Sequence, residues 1–559
     1  MAKQFLFSIP VFLLSVLPCA AVLFEVPDDF ATIGEALYYT GQGDTVLVHP
    51  GIYRERLIPP GHDFLLVSEF FFTHDSSAID STIIDASDFA EEDTASVLTF
   101  VNGNSRATIV SGFTLRGGHG LLVSGAYRTG GGVYINASHP TILSNIITEN
   151  QSQYAVAILA LYSHARFAHN RIHANCGMWE LIGIGYSSGS NEMTIVEWND
   201  ITGNYGCWIP EWPYLGGPTV GVQACGAAIR FNRFHDYYGN AELGVSYGHA
   251  WGELLGNSFE RLNYAHFEGT QDWGDIVRVW EYGHDVTMRD NIFRDCTTEQ
   301  SAVTIWREAR EDPFVFERNW FENVHNLGDV GGAAISINEP RGTICENVFI
   351  QCAGPTGPIS MVFVDVGTQG CRAVVERNHF FANRFLYEGP GGAASAIYAY
   401  GTGRYLCTVR DNWFEGNQGI AMELEHYDTT RIWDCRENYW GDPSGPYHPT
   451  RNPGGRGDTV GDYILFDPWL TAPPTGSSVP TSPFALSPQD WKLEGAFPNP
   501  FNDATQIRLI STRPQPFEVT IYNLLGQRVR QLWRGVVPKD RAVSVSWDGR
   551  DEYGHAVAT

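Results

Sequence analysis

The chain has 559 residues, too many for one compact core, so it divides into two or more units. Glycine (59 residues) and aromatic residues (13%) are both abundant, which suits a β-rich fold with many tight turns, and 43% hydrophobic content excludes a disordered chain. Of the net charge of −27, nine basic and seven acidic residues lie from Trp491 onward, so the body before them carries about −30, a field that excludes nucleic acid and free polyanions as partners.

The amino terminus reads as a signal peptide over residues 1–21. Lys3 supplies the positive region, Phe5 to Leu17 the apolar run, and Cys19-Ala20-Ala21 the small-residue cleavage site. No later stretch is apolar for long enough to span a bilayer, so the mature chain is expected outside the cell or at its surface. Cleavage would leave nine cysteines, an odd and scattered set that reads as buried apolar filler rather than a disulfide framework or a zinc site. Next, Thr32-Ile33-Gly34-Glu35 forms a helix capping box, and Val46 to His49 is the first strand after it.

From Asn145 the sequence repeats. Asn-x-(Ile/Phe/Trp) recurs at Asn145, Asn170, Asn199, Asn232, Asn257, Asn291, Asn319, Asn347, Asn378, Asn412 and Asn438, spaced by 25 to 34 residues. Two positions later stand Ile147, Ile172, Ile201, Phe234, Phe259, Phe293, Phe321, Phe349, Phe380, Phe414 and Trp440. Each asparagine ends a short strand; its tolerance of left-handed angles would bend the chain, and stacked amides would bond along an axis. A second asparagine five positions on (Asn150, Asn175, Asn204, Asn383, Asn417) marks another corner, with Cys296, Val324 and Cys352 in its place in middle coils. A third strand precedes each pair. Three strands per coil of about thirty residues predict an all-β solenoid, a parallel β-helix over residues 22–470. A Pro/Ser/Thr-rich linker (471–490) leads to a small β-sandwich (491–559).

The segments "VPDDFATIGEALYYTGQGDTVLVHPGIYRE", "SGFTLRGG", "SHPTILSNIITEN" and "NYWGDPSGP" resemble bacterial right-handed parallel β-helix proteins of the pectin-lyase-like superfamily. That resemblance implies the right-handed fold, and a class holding lyases, hydrolases and adhesins alike. "FPNPFNDATQIRLI", "FEVTIYNLLGQRVRQLW" and "VSVSWDGRDEYGHAVAT" resemble the immunoglobulin-like domain related to flagellar hook-capping proteins, which serves as a type-IX secretion sorting domain in Gram-negative bacteria. The family continues one strand beyond Val557-Ala558-Thr559, so the domain is expected to be incomplete.

In the superfamily, ligands lie along the strand that here precedes each asparagine pair. Alternation along those strands gives two outward columns. One reads Tyr134, Ala157, Gly183, Gly221, Gly244, Arg278, Thr304, Ser336, Phe363, Tyr398, Glu423; the other Asn136, Leu159, Gly185, Gln223, Ser246, Trp280, Trp306, Asn338, Asp365, Tyr400, Glu425. Trp280, Trp306, Tyr398 and Tyr400 form an aromatic row suited to sugar rings, over a glycine floor at 183, 185, 221 and 244, with Trp179, Trp208, Trp212 and Trp273 as its wall. Asp365 and Glu425, two coils apart in one column, are candidate acids for an inverting hydrolase. No lysine occurs between residues 4 and 491, which excludes a lysine-based lyase there; an arginine-based one would use Arg278, with Asp272 and Asp275 holding calcium. His249, His266 and His284 lie near this cluster without metal-ligand spacing, and Gly118-His119-Gly120 is read as a glycine turn. Three functions follow: a secreted or surface β-helix that binds glycan, a polysaccharide lyase or glycoside hydrolase using the same groove, and a structural adhesin stalk.

Overall fold

The computed structural model describes residues 21–474 and 491–557, apart from 91–92, 124–126, 187–191, 207–216, 240–242, 265–273, 281–285, 307–313, 339–340, 364–370, 387–393, 402–404, 427–432, 498–503, 512–514, 523–527, 538–541 and 553–554. The chain splits into two units, residues 1–472 and 473–559.

The first unit is a parallel β-helix. Its first sheet has 16 strands from Leu23–Val26 to Ile464–Leu465, its second has 15 strands beginning at Gly51–Tyr53, and its third has 14, with Leu98–Phe100 at one end and Pro446–Tyr447 at the other. Ile147 pairs with Ile172, and Phe321 with Phe349, so residues one coil apart sit side by side. The amino-terminal end is closed by the helix Ile33–Tyr39, capped by the Thr32 hydroxyl accepting from Glu35 N.

Parallel register puts like on like, and two stacks result. Phe234, Phe259, Phe293, Phe321, Phe349, Phe380, Phe414 and Trp440 are buried with ring centroids 4.5–5.3 Å apart and planes within 14°. That separation is the strand spacing itself. Beside them runs the asparagine ladder. From Asn170 to Asn438 each side-chain oxygen accepts from both the backbone N–H and the amide of the asparagine one coil before, Asn145 Oδ1 accepts from Phe113 N at the start, and each amide also donates to a backbone carbonyl: Asn291 N and Nδ2 reach Asn319 Oδ1 at 3.1 and 3.0 Å, and Nδ2 reaches Leu254 O at 2.8 Å.

One expectation is corrected here. The left-handed bend belongs to the residue before each asparagine, including Ser144, His169, Trp198, Phe231, Asp290, Arg318 and Arg377, with φ between 53° and 57°. The asparagine is needed for its amide, not for its backbone tolerance. The exposed bend positions form ladders of their own. His169, Trp198 and Phe231 stack, and later Asp290 pairs with Arg318 and Glu346 with Arg377.

The second ladder runs Asn150–Asn175–Asn204 and resumes at Asn383–Asn417, where Asp458 ends it by accepting from Gly416 N, Asn417 N and Asn417 Nδ2. Between the two stretches Tyr237, Leu262, Cys296, Val324 and Cys352 are buried, and strands such as Ile292–Thr298 run through the corner unbroken. Six cysteines (225, 296, 345, 352, 407, 435) lie outside any disulfide and are buried, as expected of filler. Cys176 is not: it is disulfide-bonded, which corrects the reading of every cysteine as unpaired.

The second unit has two antiparallel sheets. Trp491–Phe497, Thr505–Ser511 and Val543–Trp547 form one; Gln515–Tyr522 and Arg528–Val537 form the other.

Truncating Phe321 leaves neighbours on both sides of the ring stack without contacts, so Phe321→Ala is expected to lower unfolding free energy by about 3–5 kcal/mol in denaturant titration. Asp458→Ala strands three donors and is expected to lower the melting temperature, whereas Asp458→Asn, which continues the ladder, restores it towards the parent.

Candidate functional site

The outward face of the third sheet is the surface that the sequence selects for chemistry, and the strand pairing gives its columns directly. One column runs Tyr134, Leu159, Gly183, Gly221, Ser246, Arg278, Thr304, Ser336, Ser360, Tyr398, Glu423. The other includes Asn136, Leu161, Gly185, Gln223, Gly248, Trp280, Asn338, Val362, Tyr400 and Glu425. The expected register therefore slips at three strands. Leu159 replaces Ala157, Ser246 replaces Gly244, and Ser360 with Val362 replaces Phe363 with Asp365. Val362 takes the register position expected of Asp365, beside Tyr400, and Asp365 itself lies outside the described residues. Gly244 faces inward: a Cβ on it would meet Ile276 O at 2.6 Å and the Phe259 ring at 2.9 Å.

The first column is mostly packed. Arg278 is 6% exposed and Asp275 fully buried, with the guanidinium 3.8 Å from the carboxylate. Asp275 also accepts from Ser301 N at 3.3 Å and from the Thr304 hydroxyl. This is an internal ion pair, not a base presented to a polymer. Asp272, the second calcium candidate, lies outside the described residues, as do Trp208, Trp212, Trp273, His266 and His284. His249 is exposed at a left-handed corner, its ring 6.5 Å from Trp280. Gly120 opens the strand Gly120–Val123 rather than sitting in a turn, and a Cβ on Gly118 or Gly120 would press against the carbonyls of Gly131 and Thr129.

The second column is more open. Trp280 and Trp306 end adjacent strands, paired through Val279 and Ile305. Trp306 is 48% exposed. Trp280 is half-buried: its Nε1–H donates to Ser246 Oγ at 3.0 Å and its ring lies over Gly248 on the preceding coil. Further along, half-buried Tyr398 donates its hydroxyl to the exposed Glu425 carboxylate, and Tyr400 stands beside Glu425 in register. Glu423 packs on Gly461, and its carboxyl is pushed up to about 7, first by burial and then by the charges of Asp462 and Glu425.

Sequence alternation misses residues that lie just outside the strands. Tyr154 stacks on Trp179 at 6.3 Å before the strands Ile158–Leu161 and Ile182–Gly185. Tyr162 and Tyr186, one position past those strands, are both exposed with rings 6.2 Å apart. Their equal offset from successive strands was the available signal. Glu180 extends across the glycine floor, its Oε1 3.2 Å from where a Gly183 Cβ would stand, and burial pushes its carboxyl up.

Because Glu423 holds its proton up to about 7 in the folded chain, against an ordinary 4.5, the folded state binds more protons between those values, and stability falls as pH rises through that window. Glu423→Gln is therefore expected to melt above the parent at pH 8 and level with it at pH 4. Equal melting at both pH values would show a fully solvated carboxyl.

No protein family and no curated relative matches the sequence. Solved structures similar to it include the pectin methylesterase of Aspergillus niger (13% identity over 54% of this chain and 86% of that one, TM-score 0.25). The receptor-binding tailspike of bacteriophage Det7 is another (10%, 96% and 90%, 0.37), as is a mannuronic acid specific polysaccharide family 6 lyase from human gut microbiota (11%, 79% and 92%, 0.32). With every score below 0.5, the fold assignment rests on the three parallel sheets themselves. Among the described residues no helix is long and apolar enough to cross a membrane.

Proposed function

We propose that this is a secreted or cell-surface β-helix protein that binds a neutral polysaccharide along the second outward column of the third sheet. The observation that carries the reading is Trp306, a half-exposed indole in parallel register with further polar and aromatic side chains on the same face. An indole face offers sugar rings an apolar surface, worth on the order of 1 kcal/mol by analogy with aromatic pairs. Neutral sugar is favoured because the body's charge of about −30 repels free uronates, unless calcium bridges them. The disulfide at Cys176 supports an oxidising compartment. The sorting-type resemblance of the second unit supports export through the type-IX pathway.

A glycan array followed by calorimetry tests the reading. Trp306→Ala is expected to weaken binding about tenfold, or about 1.4 kcal/mol, with little change in melting temperature. Trp280→Ala is expected to weaken binding too, but with a loss of stability, because its ring packs on Gly248 and bonds Ser246. Unchanged binding in Trp306→Ala would end the groove reading and leave a structural stalk.

The second reading, a glycoside hydrolase on the same face, is favoured by one observation. A carboxyl held protonated up to about 7, Glu423, stands next but one to a carboxylate, Glu425, fixed by a tyrosine. Reducing ends released from a polysaccharide panel by the parent but not by Glu423→Gln would select it.

A further inference from the structure

A second cluster of ligand-bearing side chains lies far from this face in sequence, on the amino-terminal cap. Three neighbouring strands of the first sheet, Leu23–Val26, Thr45–Val48 and Leu65–Ser68, bring Glu25, His49 and Glu69 together at their ends. His49 Nε2 lies 3.1 Å from Glu25 Oε2, and Nδ1 lies 2.9 Å from Glu69 Oε1. Asp28, in the turn after the first strand, completes the group: ligand atoms of Glu25, Asp28 and His49 all fall within 4.8 Å of one another.

The scaffold around them is fixed. His49 N donates to Val26 O at 2.9 Å, the Tyr53 hydroxyl donates to His49 O at 2.9 Å, and Glu25 N donates to Asp29 Oδ2 at 2.9 Å. These bonds hold the backbone of the three segments; ligand atoms up to 4.8 Å apart would close on an ion by rotation of the Glu25 and Asp28 carboxylates.

We propose that Glu25, Asp28 and His49 bind a divalent transition-metal ion of the Zn2+ class, with Glu69 as the outer carboxylate that orients the histidine ring. Two considerations carry this beyond an ordinary ion pair. The first is charge. The charged groups acting most strongly on His49 are Glu69, Glu25 and Asp28, all acids. A singly charged imidazolium would leave two negative charges uncompensated, whereas a divalent ion on a neutral imidazole balances Glu25 and Asp28. The second is geometry. A ligating histidine characteristically offers one ring nitrogen to the metal and hydrogen-bonds the other to a carboxylate, which fixes tautomer and orientation. Glu69 on Nδ1 and the Glu25–Asp28 pair on the Nε2 side reproduce that division. The ion would take the place of the proton between Nε2 and Glu25. One imidazole and two carboxylates suit Zn2+, with a fourth position open to water, and suit the all-oxygen ions Ca2+ and Mg2+ poorly.

Calorimetric titration of the full chain with ZnCl2 at pH 8 tests the site. The expected result is one Zn2+ bound through these residues. Asp28→Asn, an exposed change that leaves the cap intact, and His49→Gln should each weaken that binding at least tenfold. Glu69→Gln, which removes no ligand, should weaken it by about 10–100-fold. A Zn2+-dependent rise in melting temperature should vanish with the binding in Asp28→Asn, whose metal-free melting should match the parent. Absence of Zn2+ binding would overturn the site. So would binding of unchanged strength in Asp28→Asn, which would mark the uptake as adventitious, or equal binding of Mg2+ or Ca2+.

Discussion

A buried side-chain amide carries two donor hydrogens and an acceptor oxygen, and leaving any of them unmet costs about 1–3 kcal/mol. In this protein the ladder asparagines meet that demand by facing one another from coil to coil, with a backbone carbonyl taking the remaining amide hydrogen. Slipping a strand by one residue would break the chain of amides and turn the phenylalanine column to solvent together. The ladder thereby fixes the register of the second sheet, the ring stack beside it and, through the short turns, the first sheet. The bend before each asparagine is the geometric cost of presenting the amide inward, borne in turn by residues as unlike as Ser144, Trp198 and Arg318.

This explains what could be read from the sequence. The ladder was legible because it requires one residue type at one offset eleven times over, and the column two positions on because it holds isoleucine, phenylalanine or tryptophan at every turn, its last eight members forming the ring stack. The bend position was not, since a left-handed backbone angle at an exposed corner leaves no common side chain to recognise. The third sheet was legible as strands but not in register. Its outward positions obey no single demand, and connections of varying length hide slips such as Leu159 for Ala157 and Ser246 for Gly244. The Cys176 bond was hidden for a different reason: an odd cysteine count says nothing about a single pair among many buried thiols.

The candidate face shows the same division between constraint and freedom. Where side chains are buried, as at Arg278 and Thr304, the Asp275 carboxylate meets the arginine's charge in place. Where they are exposed, at Trp306 and Glu425, the chain keeps aromatic and acidic groups with nothing in the β-helix core to require them. Tyr162, Tyr186 and Glu180 escaped the sequence reading because they belong to corners rather than strands, and strand alternation is silent about corners. Sites on a solenoid are assembled from both.

The sameness of the rungs has an evolutionary corollary. Because every ladder asparagine in the middle of the β-helix bonds another of its kind above and below, a duplicated or deleted coil of 25 to 34 residues would meet an interface already suited to it. Each such event would lengthen or shorten the outward face by one strand spacing, about 4.8 Å, without redesigning the core. The ends lack that freedom: Asp458 closes its ladder once, and the Glu25–His49–Glu69 arrangement needs three particular strands in order. Variation in the number of coils among descendants of this chain should therefore fall in the interior, leaving both termini as fixed points between which the reach of the molecule is adjusted.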